Sequence, residues 1–157
     1  MAFAYLKEII EAAEKENKPF WQIVIEDDMR ERNVSYEQSF ETMRGMYQAM
    51  KEADAAYDPK LRSASGMVGG DGEKLEEFHK KKNRLIGDFL TEVMEKAVKM
   101  GESNACMKRI VAAPTAGSCG VIPAVLLTYE KQKNVSEDKL AVSYTHLRAH
   151  ETLANIV

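Results

Sequence analysis

Tyr36, Phe40, Met43, Tyr47 and Met50 recur at steps of four, three, four and three. That spacing predicts one local structure: an amphipathic helix whose five apolar side chains fall on one stripe. Ser35 and Gln38 stand at its start in capping-box spacing, each side chain placed to accept from the other's backbone N–H. Methionines and aromatics at this spacing are read as packing residues, not as a cofactor box. The stripe therefore demands partner helices, and the rest of the chain supplies them.

Phe3, Leu6, Ile10 and Ala13 carry the helical period over residues 3–17. Pro19 suits the first turn of a second helix, where its missing N–H costs nothing, and that helix holds Phe20, Trp21, Ile23, Val24 and Met29. Asp58-Pro59 interrupts the pattern before a glycine-rich stretch, Ser63–Gly72. Residues 73–100 predict one long helix with Leu75, Phe78, Leu85, Phe89, Val93 and Ala97 inward, and Gly101 as its stop. A turn through Ser103 and Asn104 leads to Ile110–Ala113, too short to assign. A second small-residue loop, Pro114–Gly120, precedes a helix over Val121–Lys133 with Pro123 near its start. The fold class is mainly α, and 157 residues point to a single domain.

Charge excludes one class of function. A net charge of -3 lacks the surplus of Lys and Arg that phosphate neutralisation needs, and the basic run Lys80–Lys82 sits among Glu76, Glu77 and Asp88. The N-terminus runs straight into Lys7 and Glu8, with no apolar signal segment, and nothing approaches a membrane span. Two cysteines, Cys106 and Cys119, are too few for a disulfide scaffold. A cytoplasmic protein is expected.

Two loops carry the candidate chemistry. Ser65-Gly-Met-Val-Gly-Gly-Asp-Gly72 brings backbone N–H groups close to a ligand, but its spacing is neither that of a P-loop nor of a dinucleotide fingerprint. A plain connection explains it equally well. Ala113-Pro-Thr-Ala-Gly-Ser-Cys-Gly120 opens onto a helix, whose positive end favours a substrate carboxylate. The same position would lower the Cys119 thiol and make it a nucleophile, against the simpler reading of a small packing residue.

These loops sit within longer motifs: Ser65–Gly72 followed by Lys74-Leu75-Glu76 and Gly87-Asp88-Phe89, then Arg109-Ile-Val-Ala-Ala-Pro-Thr-Ala-Gly-Ser-Cys-Gly-Val-Ile-Pro-Ala-Val-Leu126. From about residue 5 to Lys139 the chain resembles the α subunit of the iron–sulfur L-serine dehydratases. The resemblance implies the helical N-terminal part of a catalytic domain over residues 1–141, a [4Fe-4S] cluster and a separate β subunit. It implies conversion of L-serine to pyruvate and ammonia, in which an open iron site acts as Lewis acid on hydroxyl and carboxylate while a base takes the α-proton. On this reading Ser65, Gly66, Gly69, Gly70, Thr115, Gly117, Ser118 and Gly120 hold substrate, and the base stays unassigned. Family members carry their cluster cysteines in a later half, which Cys106 and Cys119 do not match. No metal ligand is assigned here, and the chain is expected to be truncated at its C-terminus, to bind no cluster and to be inactive alone.

Residues 142–157 read differently. Val142-Ser-Tyr-Thr-His-Leu-Arg-Ala-His-Glu-Thr152 resembles the translation of a transposon-derived sequencing adapter, so a non-native tail is expected. His146 and His150, at i and i+4 beside Glu151, lack the order of a zinc motif and a third ligand. Two other functions stay open, a helical interaction module without catalysis and an enzyme using Cys119. A helical half-domain would also expose an apolar face, expected at Val121, Ile122, Val125 and Leu126.

Overall fold

The computed structural model describes residues 3, 5–81, 85–112, 115–141 and 143. Among these the regular structure is helical, as expected: α1 (Leu6–Glu16), α2 (Phe20–Arg32), α3 (Tyr36–Ala55), α4 (Asp71–His79), α5 (Asp88–Ala105) and α6 (Val121–Lys133), with a 3-10 turn at Ala116–Ser118. No helix among the described residues is long and apolar enough to cross a membrane. His146, His150 and Glu151 lie outside the described residues, as do Ala113 and Pro114. Length pointed to one domain, but the chain divides into two compact units. One holds the described residues up to 46 with those from 137 on, and the other holds residues 47–136.

In the first unit, α1 buries Ile9 and leaves Leu6 and Ile10 exposed, a face one residue away from the predicted one. Pro19 is the N-cap of α2, one position earlier than expected, and Ile23 and Ile25 turn inward. Asn17 and Asn33 stop these helices in left-handed conformations, a role for which Asn is the usual alternative to Gly. The predicted box at α3 forms: Ser35 N–H donates to Gln38 Oε1 at 2.9 Å and Gln38 N–H to Ser35 Oγ at 3.3 Å. Ser39 is buried and donates to Asp28 Oδ2 at 2.6 Å, joining α3 to α2.

The second unit begins within α3. Tyr47 and Met50, from the predicted stripe, are buried, as is Met43 one turn earlier, while Tyr36 stays exposed and stacks on Phe40. Tyr47 donates to Glu130 Oε2 at 2.9 Å and Lys51 reaches Glu130 Oε1 at 2.8 Å, which fastens α6 to α3. Ala53, Met100, Cys119 and the partly buried Ile110 form a shared core.

The long helix expected over 73–100 is two helices. Gly87 takes an extended conformation and caps α5, and Leu85, expected inward, is fully exposed. Gly101 does not end α5; the helix runs through it to Ala105, with Glu102 and Ser103 buried beyond it. The chain turns off past Ala105 at Met107, whose φ is 60°, with Lys108 N–H donating to Ser103 O and Met107 N–H to Asn104 O. That is a Schellman closure with methionine where glycine is usual.

α5 and α6 run antiparallel, since Gly120 lies against Ala97 and Lys131 against Glu92. The approach at Gly120 is close: a Cβ there would sit 2.5 Å from the Ala97 carbonyl oxygen. Along its outer side α6 shows Val121, Val125 and Tyr129, at i, i+4 and i+8. Of the four residues expected to be uncovered, Val121 and Val125 are exposed, Ile122 is half-buried and Leu126 is buried. α4 meets α5 through charge. Lys99 Nζ reaches Glu76 and Glu95 at 2.7 Å each, and Glu95 meets His79 Nδ1 at 2.8 Å. Burial works against the Lys99 charge, but these two carboxylates outweigh it and raise its pKa.

Three outcomes are expected from this packing. Gly120→Ala should destabilise the chain by roughly 1–3 kcal/mol in urea unfolding, because the new methyl overlaps a backbone carbonyl. Met107→Gly should stabilise it by about 1 kcal/mol, since Met107 is exposed and only its left-handed backbone changes. The third concerns pH. Lys80 and then Lys99 hold the Glu76 carboxyl down at about 2 against a reference of 4.5. A lowered folded pKa means stability that is present above the unfolded value and is lost as pH falls from about 4.5 towards 2. Acid titration of unfolding should show that loss, and Glu76→Gln should flatten it; an unchanged acid limb in the variant would refute the assignment.

Candidate functional site

Both candidate loops are fixed at the C-terminal end of α5, and each has an inner packed part and an outer exposed part. In the first, Ser63 N–H donates to Val68 O at 2.9 Å and Gly66 N–H to Ser63 O at 2.8 Å. The Ser63 and Ser65 hydroxyls lie 3.1 Å apart, and Ser63 Oγ also accepts from Val68 N–H at 3.1 Å. This closed turn leaves Ser65, Gly66 and Met67 exposed, with Gly66 at φ +72° and nothing within 4 Å of its missing Cβ.

Gly69 and Gly70 belong to the inner part. A side chain at Gly69 would run into the Leu61 carbonyl, and one at Gly70 into the Arg62 guanidinium. Both glycines have positive φ, which serves the path of the chain. Behind them a crevice lined by Tyr57, Leu61, Gly69, Glu102, Ser103 and Cys106 is too tight to hold a water molecule.

The backbone N–H groups where the glycine-rich segment enters α4 are occupied from within. Glu102 Oε1 accepts from Asp71 N–H at 2.7 Å, and Oε2 accepts from Gly72 N–H at 3.2 Å and from the Tyr57 hydroxyl at 2.6 Å. A negative group there complements the helix N-terminus. Burial first, then the neighbouring Glu102 carboxylate, push the Tyr57 phenol upward, so it stays a donor. Gly72 is buried because Lys99 Cγ and the Tyr57 hydroxyl come within 2.6 and 2.9 Å of where its Cβ would be.

The second loop is also partly self-satisfied. Thr115 N–H donates to Ser118 Oγ at 3.2 Å, and Ser118 N–H donates to Thr115 Oγ1 at 3.3 Å, a reciprocal cap on the 3-10 turn. Asn104 Nδ2 donates to Ala116 O at 2.9 Å, tying the turn to α5. Thr115 and Gly117 are exposed and Ser118 is half-buried, whereas Gly120 is packed on Ala97. Glu102 and Asn104 stand two positions apart, about 200° around α5, so they hold the two loops from different sides of one helix end.

Cys119 corrects one expectation. It is 1% exposed, and burial raises its thiol instead of lowering it. Burial disfavours a thiolate and outweighs the Cys119 backbone hydrogen bond, which works the other way. A buried thiol with a raised pKa does not suit a nucleophile, and Cys119 packs against Ala53 and Met100.

Sequence reasoning missed Tyr57, Glu95, Lys99 and Glu102. A signal existed, since Glu95, Lys99 and Glu102 follow one another at four and three, the spacing of a single helix face. It was masked by treating charged residues on a helix as solvated.

The family model for the serine dehydratase alpha chain matches residues 15–149. A Bacillus subtilis (strain 168) protein described as "Probable L-serine dehydratase, alpha chain" is 29% identical over 138 residues, covering 88% of this chain and 46% of that protein. The L-serine dehydratase alpha chain of Peptoniphilus asaccharolyticus is 28% identical over 139 residues, covering 82% and 44%. The L-serine dehydratase of Haemophilus influenzae (strain ATCC 51907 / DSM 11121 / KW20 / Rd) shares 57% over 35 residues, 22% of this chain and 8% of that protein. No solved structure matches the chain. The chain spans less than half the length of the first two relatives. With a family match that takes in α2 to α6 and both loops, the chain belongs to the serine dehydratase alpha chain family.

Proposed function

We propose that this chain is part of an enzyme that converts L-serine to pyruvate and ammonia, contributing the substrate side of the site. The observation that carries the reading is the family match over residues 15–149, supported by relatives named as L-serine dehydratases. The alpha-chain names of two relatives support a β subunit as partner.

Serine offers three groups to recognise: a carboxylate, an ammonium and a hydroxyl. The exposed Ser65 and Thr115 hydroxyls, with the half-buried Ser118 hydroxyl and the exposed backbone at Gly66 and Gly117, suit the carboxylate and the hydroxyl. Gly69, Gly70 and Gly120 serve the same end indirectly, by allowing the close packing that shapes the two loops. Elimination of water needs an acid for the leaving hydroxide and a base for the α-proton, and neither is assigned to these residues.

A [4Fe-4S] cluster, the cofactor implied for the whole enzyme, does not fit this chain's own donors. It requires three or four thiolates. The chain has two cysteines, of which Cys119 is buried with a raised thiol. Among the described residues no three of His, Cys, Asp or Glu come together as a metal site. The isolated chain is therefore expected to be inactive.

The test is pyruvate formation by the whole enzyme carrying this sequence, after anaerobic reconstitution with iron and sulfide. Absence of both cluster absorbance and pyruvate would refute the reading. In the active enzyme, Ser65→Ala should raise KM for L-serine about tenfold, the scale of one hydrogen bond to a charged group, with kcat less affected. An unchanged KM would remove the first loop from the substrate site.

A further inference from the structure

We propose that Glu102 is the positioning residue of the glycine-rich loop, a clamp that closes both ends of the segment and aims its outer turn at ligand. The inference rests on the reading of Ser65–Gly72 as a substrate-side loop. Three parts of the chain meet at this one carboxylate. Tyr57 comes from the entry to the segment, Asp71 and Gly72 from its exit, and Glu102 from α5. Sixteen residues, 57–72, are thereby tied at both ends to a helix that lies outside the segment.

The geometry assigns the clamp a second consequence. Two N–H groups of the first turn of α4 are already taken by Glu102, so a substrate carboxylate would have to compete with it at that helix end. What the clamp leaves open is the exposed turn Ser65–Met67 on the far side of the segment. Glu102 therefore acts through the loop and touches no substrate. Its own environment is fixed in turn: Lys99 lies over the Tyr57 ring at 5.4 Å, and Gly72 leaves room for both side chains. A carboxylate that accepts two backbone N–H bonds and a phenol O–H has most of its acceptor sites engaged, which suits holding more than chemistry.

Glu102→Ala and Glu102→Gln in the whole enzyme test this, read by steady-state kinetics and by amide exchange at Asp71 and Gly72. Glu102→Ala should speed exchange at both amides and raise KM for L-serine about tenfold, with kcat changed less than about threefold. Glu102→Gln keeps one oxygen for Asp71 N–H and an NH2 that can donate to the Tyr57 oxygen but leaves Gly72 N–H without an acceptor, so it should restore part of the lost affinity and slow exchange at Asp71 more than at Gly72. If Glu102→Ala does not fold, Tyr57→Phe opens the entry end alone and should raise KM about threefold. Exchange that stays slow in Glu102→Ala would overturn the clamp while leaving the loop's role intact. Fast exchange with KM unchanged would overturn the positioning role. Ser65→Ala separates the two ideas, because an unchanged KM there sinks the substrate-loop reading itself while the exchange result still judges the clamp.

Discussion

Three carboxylates are buried on one helix, and the arrangement around α5 follows from the need to answer each of them. A buried charge left unpaired costs several kcal/mol, so its partners must be held in place. Glu92 is answered by Lys131 and Gln132 of α6, Glu95 by Lys99 and His79, and Glu102 by the start of α4 and Tyr57. Each pairing recruits a different piece of chain. Burial raises the cost of the Glu92 charge, and its two partners outweigh that cost and keep its carboxyl below the usual range. Apolar packing through Met100, Cys119 and Ala53 supplies cohesion, but the paired charges decide which neighbour lies where.

The apolar part of the fold was legible in the sequence, and the polar part was not. Periodicity located α3 and the box at Ser35–Gln38 because stripe and cap are local properties of a helix. It failed at 73–100, where apolar residues continue the period although α4 ends at His79 and α5 starts only after Gly87. Gly101 misled for the opposite reason. A glycine can end a helix, but buried residues on the next turn held the chain helical through it, and Met107 took the left-handed position at some strain. The Asn stops at residues 17, 33 and 134 were readable and passed over.

At the candidate site the sequence showed two small-residue loops, but not which of their glycines pack and which stay open. Glycine-rich segments look uniform in sequence, since a glycine required by packing and one left open for a ligand are the same letter. Only the neighbours separate them: the Leu61 carbonyl, the Arg62 side chain and the Ala97 carbonyl on one side, open space at Gly66 on the other. Likewise a free helix N-terminus and one filled by a distant glutamate cannot be told apart before α5 is placed against α4. The motif named the family; long-range contacts had to say which of its atoms face outward.

That division among the glycines bears on what substitutions the chain can accept. At Gly69 and Gly120 any larger residue meets a backbone carbonyl that cannot retreat, so a library screened for folding alone would recover one amino acid at each. Gly117 has only the Thr115 hydroxyl near it, at 3.7 Å, and the same screen would let it vary. A screen for turnover would be needed to fix Gly117. The difference between the two screens, position by position, would trace the boundary between scaffold and working surface.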